Sequence, residues 1–109
     1  MMFGIEWVAK MHGPEFYEKK EIKKYLDSIG AWYCLPATYG YGKSGAPDIV
    51  ACVRDHAYPG TLFVGIEVKR EGAKPTKIQE RRMVEIKNAG GIALWGTAEK
   101  VIKELKEIL

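Results

Sequence analysis

Apolar residues recur at helical spacing in parts of this chain and alternate in others, and the changes of period divide it into elements. From Pro14 the pattern is helical. Ile22, Tyr25, Leu26 and Ile29 make one stripe, Pro14 suits a first turn and Gly30 a stop. "AWYCLPA" then reads as a strand, "TYGYGKSGAP" as a glycine-rich loop, "DIVACV" as a second strand and "RDHAYPG" as a turn. "TLFVGIEVK" reads as a third strand, so the second and third predict a hairpin turning near residues 54–60. "REGAKP" leads into a helix over 76–89, where Thr76 and Gln79 have capping-box spacing and Gly90 and Gly91 end the run. "GIALW" is a short buried strand, and 97–109 forms a closing amphipathic helix. In residues 1–13, Phe3, Ile5, Trp7 and Val8 suggest a short strand or an interface arm. The order helix, three strands, helix, strand, helix predicts one α/β domain over residues 1–109. Its last crossover should create a parallel strand pair.

Three charges break the apolar pattern. Asp48 opens the second strand, and Glu67 and Lys69 share one face of the third, opposite Val64, Ile66 and Val68. Desolvating an unpaired ion is costly, so these positions need a joint reason. In the hairpin the start of one strand lies beside the end of the next, which brings Asp48 near Glu67 and Lys69. Two close carboxylates repel unless a cation shares them, and oxygen ligands of this kind suit Mg²⁺ or Mn²⁺. Lys69 beside such an ion would stabilise developing negative charge. A surface ion pair between Glu67 and Lys69, or a turn cap by Asp48, explains the same spacing. Followed backwards, the first helix's stripe leads to Glu18 and Glu15, either a third carboxylate for the site or acids that complement the helix dipole. Gln79 reads both as the capping partner of Thr76 and as an inward residue able to reach the site.

Composition adds less. The 109 residues carry a formal charge of +3, compatible with an anionic partner, and positive residues gather around 19–24 and 69–82. Lys74, Lys77, Arg81 and Arg82 make a basic surface suited to phosphates or simply a solvated helix face. Tyr39, Tyr41 and Lys43 lie in the glycine-rich loop, where the aromatics would stack on bases or anchor the loop. Cys34 and Cys52 do not form a disulfide scaffold, and neither they nor the lone His12 and His56 have zinc-site spacing. No run approaches the roughly 20 apolar residues of a membrane span. With no secretion signal, a cytoplasmic setting is expected.

Together, "GAPDIV", "GIEVKREG" and "KIQERRMVEIKNAGG" resemble the active-site signature of the PD-(D/E)xK nuclease superfamily, and more narrowly the VRR-NUC family. The likeness runs from about Glu15 to Leu94, and the ordered set Pro47, Asp48, Glu67, Val68, Lys69 and Gln79 is its most specific part. The resemblance implies a restriction-endonuclease-like core, α-β-β-β-α-β with a C-terminal helix and a mixed sheet flanked by helices. It implies catalytic roles for Asp48, Glu67, Lys69, Gln79 and Glu15, with the metal held by Asp48, Glu67, Glu15 and the carbonyl of Val68. Glu18 stands as the alternative to Glu15. It also implies an Mg²⁺- or Mn²⁺-dependent endodeoxyribonuclease, a homodimer selective for branched DNA such as four-way junctions. Lys43, Lys74, Lys77, Arg81, Arg82 and Tyr41 are its expected DNA contacts. An archaeal-type Holliday junction resolvase and a noncatalytic nucleic-acid-binding module are the competing readings.

Overall fold

A computed structural model of the chain describes residues 13–37, 42–55 and 60–109. The elements run α1 (Phe16–Ser28), β1 (Trp32–Cys34), β2 (Ile49–Asp55), β3 (Gly60–Val68), α2 (Lys77–Asn88), β4 (Ile92–Gly96) and α3 (Ala98–Ile108). This is the order the periodicity predicts. The expected arm over 1–13 falls outside the described residues except for Gly13, as do Tyr39, Tyr41, His12 and His56.

Two helices end in the same way, for a chemical reason written in the sequence. Gly30 and Gly90 sit at φ +72° and +96°. After α1, Gly30 N–H donates to Asp27 O and Ala31 N–H to Leu26 O; after α2, Gly90 donates to Lys87 O and Gly91 to Ile86 O. Both closures leave the residue after the cap left-handed, which a side chain opposes and glycine accepts. The first strand is shorter than "AWYCLPA" suggested. It stops at Cys34, before the exposed Leu35 and the donor-less Pro36.

The sheet order is β1-β2-β3-β4, antiparallel except for the parallel β3–β4 pair expected of the crossover. Ile49, Ala51 and Val53 of β2 pair with Ile66, Val64 and Leu62 of β3, so one face of the hairpin is apolar throughout. That face packs on α1 and α3 through Ile22, Leu26, Val101 and Leu105, all fully buried. Truncating Ile22, Leu26 or Leu105 to alanine removes about 2–5 kcal/mol of stability. On the opposite face α2 covers only part of the sheet. Its Ile86 lies against Gly65 of β3 and against Gly91, close enough that a Cβ on Gly65 would stand 2.9 Å from Ile86 Cδ1 and 3.0 Å from Pro47 Cγ. The uncovered part carries a row across β1, β2 and β3, with Trp32 opposite Cys52 and Cys52 opposite Phe63. Trp32 is 67% exposed and Phe63 49%. Both cysteines are free and exposed.

Candidate active site

The β2–β3 register sets up the site. Ile49 pairs with Ile66, and one further step places Asp48 opposite Glu67. Like charges directly opposite one another destabilise a sheet, so the pair is held at a cost. Asp48 is anchored by the backbone: its Oδ2 accepts from Val68 N–H at 2.9 Å. Glu67 is only 3% exposed and is the one buried charged residue among those described. Its Oε1 accepts from Gln79 Nε2 at 2.7 Å.

Gln79 fulfils both of its expected roles at once. Its Oε1 accepts from Thr76 N–H at 2.8 Å, while Thr76 Oγ1 accepts from Gln79 N–H at 3.3 Å, the reciprocal capping box. With the amide oxygen committed to the cap, the amide nitrogen must face Glu67. The helix start thus fixes which end of the side chain the carboxylate meets.

Burial pushes the Glu67 carboxyl up, from an ordinary 4.5 to about 8, and the adjacent Asp48 adds to the rise. Lys69 and Lys19 pull in the opposite direction. The site therefore gathers Asp48, Glu67, Lys69 and Gln79, together with a cation that the sequence reading left out. Lys19, one helical turn after Glu15 on α1, lines a cleft of about 300 Å³ with Asp48.

Among the described residues no group of three His, Cys, Asp or Glu side chains is placed to hold a metal ion. Glu15 is the half-buried N-cap residue of α1. Glu18 is spent elsewhere: its Oε2 accepts from Ala98 N–H at 3.0 Å, at the start of α3, where a negative charge suits the helix dipole.

The donor set nonetheless fits a hard divalent ion. Two oxygen-bearing acids face each other, one raised far above its usual pKa by burial and further by its neighbour, and a cation between them would offset their repulsion. Magnesium commonly binds one or two carboxylates and keeps its remaining positions for water and substrate phosphate, so a pair is sufficient.

The expected DNA contacts among the described residues lie on α2, on the loop before it and on the loop before Asp48. Lys77 and Arg81 are exposed on α2, and Lys74 lines a small groove with Arg70 and Trp95. Tyr41 lies outside the described residues. Arg82 is engaged within the protein: its Nε donates to Ser44 O at 2.8 Å and its Nη1 to Glu85 Oε2 at 2.7 Å. Lys43 also reaches Glu85, at 3.4 Å. Although desolvation pushes the other way, Lys43 and Arg82 hold the Glu85 carboxyl below its usual value. The basic helix thus braces the loop before Asp48 with part of its charge.

Among solved structures, this architecture matches a chain described as a VRR_NUC domain, with a TM-score of 0.69 and 24% sequence identity, covering 85% of this chain and 94% of that one. The fold is that of a VRR_NUC domain. No family model matches this chain, and no curated protein does. The VRR_NUC fold accounts for the four-stranded mixed sheet and the helices flanking it, as the sequence signature led one to expect.

Proposed function

We propose that the protein is a divalent-metal-dependent endodeoxyribonuclease that hydrolyses DNA phosphodiester bonds, with a preference for branched DNA such as four-way junctions. One observation carries this reading: Glu67, buried and raised to about 8, stands across the sheet from Asp48 with Lys69 and Gln79 around it. A noncatalytic binding module has no use for a costly carboxylate pair that repels phosphate.

In this reading Asp48 and Glu67 hold Mg²⁺ or Mn²⁺, with the Val68 carbonyl as a further oxygen donor. Bound there, the ion supplies polarisation of a phosphoryl oxygen and acidification of a water. Val68 N–H fixes one oxygen of Asp48, and Gln79 fixes one oxygen of Glu67, so both carboxylates are oriented before substrate arrives. Lys69 offers an ammonium to the charge that develops on the phosphate. Lys43, Lys74, Lys77 and Arg81 supply phosphate contacts that position DNA without reading sequence, which agrees with recognition led by shape. A homodimer, part of the same reading, is supported by the uncovered apolar row Trp32, Cys52 and Phe63.

Purified protein incubated with labelled branched and linear DNA should yield products only with Mg²⁺ or Mn²⁺, and more from the branched substrate. Lys69→Ala should lower the rate by about 10² or more while leaving the melting temperature unchanged. DNA binding without any metal-dependent product would instead make this a binding module.

A further inference from the structure

We infer that the cleft between α1 and the loop at 43–47 seats a backbone phosphate of the DNA beside the cut bond, and that Lys19 is the residue that grips it. The inference rests on the nuclease reading and extends it to a residue outside the signature. The cleft is bounded by Lys19, by Leu35 and Pro36 after β1, and by the loop from Lys43 to Asp48. Its volume of about 300 Å³ leaves room for a phosphate group. Because Asp48 forms part of its wall, whatever enters lies next to the carboxylate pair.

Two cations border the cleft, and they differ in what remains of their charge. Lys43 is 66% exposed and paired with Glu85, which Arg82 also engages. Among the described residues no carboxylate comes within ion-pairing distance of the Lys19 ammonium; the described ion pairs are Lys43–Glu85, Arg82–Glu85 and Lys100–Glu104. Lys19 is half-buried, and its field reaches Glu67. An ammonium without an ion-pair partner among the described residues, at the mouth of an acidic site, lowers the local repulsion that a phosphate would meet there. The loop facing it is held firm, since Arg82 fixes Ser44 by its carbonyl. A phosphate so held would set the register of the strand before the ion and Lys69 act on the neighbouring bond.

The test separates binding from cleavage. Fluorescence anisotropy with labelled DNA in EDTA, where no cutting occurs, is compared for the native chain, Lys19→Gln, Lys19→Arg and Lys103→Gln. Lys103 is an exposed residue of α3 that serves as the charge-matched control. Lys19→Gln should bind about tenfold more weakly, with a log–log salt slope shallower by about 0.9, and Lys19→Arg should recover most of the affinity. Cleavage kinetics with Mn²⁺ should show a raised KM for Lys19→Gln and a nearly unchanged kcat. If Lys19→Gln binds and cuts no worse than Lys103→Gln, the phosphate seat is overturned while native cleavage keeps the nuclease reading. If the Lys19 effect on binding appears but the native chain never cuts with metal, the seat stands and the nuclease reading falls. A native chain that neither binds nor cuts overturns both.

Discussion

At the scale of single residues, Glu67 departs furthest from its ordinary behaviour. It follows Ile66 and precedes Val68 on a strand whose other face is core, so alternation alone turns it away from the apolar cluster. What buries it is the opposite layer, α2 with Gln79. Because its folded pKa of about 8 lies above the ordinary 4.5, the metal-free native state binds this proton more tightly than the unfolded chain does. The resulting stabilisation is complete below about pH 4.5 and is lost as pH rises through about 8. Glu67→Gln keeps an oxygen for Gln79 and loses the titration. In EDTA, thermal melts should show the native protein losing stability relative to Glu67→Gln between about pH 5 and 8.5. Parallel pH profiles for the two proteins would mean that Glu67 is not raised.

Among the elements, α2 links the greatest number of parts. Its first turn closes the capping box and presents Gln79 to Glu67, its middle sends Arg82 to Ser44, and its last turn lays Ile86 on Gly65. Cap and clamp can be separated. Thr76→Ala removes the acceptor for Gln79 N–H and should cost about 1 kcal/mol in chemical denaturation, yet leave cleavage nearly intact, because the Thr76 backbone N–H still holds the Gln79 amide. Gln79→Ala leaves a buried oxygen of Glu67 without its donor and should lower both stability and cleavage rate. Equal losses of rate in the two variants would show that Gln79 acts only as a cap. The capping spacing, the glycine stops and the Asp48–Glu67 apposition were legible because each follows from local period or hairpin geometry. Contacts across long stretches of chain were not. Glu18 reaches Ala98, Arg82 reaches Ser44, and Lys19 borders the wall formed by Asp48. Each depends on how a helix is rotated against a distant segment, which no periodicity encodes. That is why Glu18 stood beside Glu15 as a candidate for the helix acid, and why Lys19 was read only as part of a basic run.

For the molecule as a whole, the layers divide the labour. The α1–α3 side supplies the apolar core that fixes the register of the hairpin, and the α2 side supplies the polar clamp. Asp48 and Glu67 meet because both layers act on the same two strands. No helix among the described residues is long and apolar enough to cross a membrane. In the proposed reading Asp48 and Glu67 hold the ion and water and substrate complete its coordination, so affinity for metal should be modest without DNA and depend on both acids. The most direct test is Mn²⁺ binding followed by electron paramagnetic resonance, on the native chain, Asp48→Asn and Glu67→Gln at pH 8. The expected result is one bound Mn²⁺ per native chain and at least tenfold weaker binding in each variant. Native protein that binds no Mn²⁺, or variants that bind it as well as the native chain, would contradict the site.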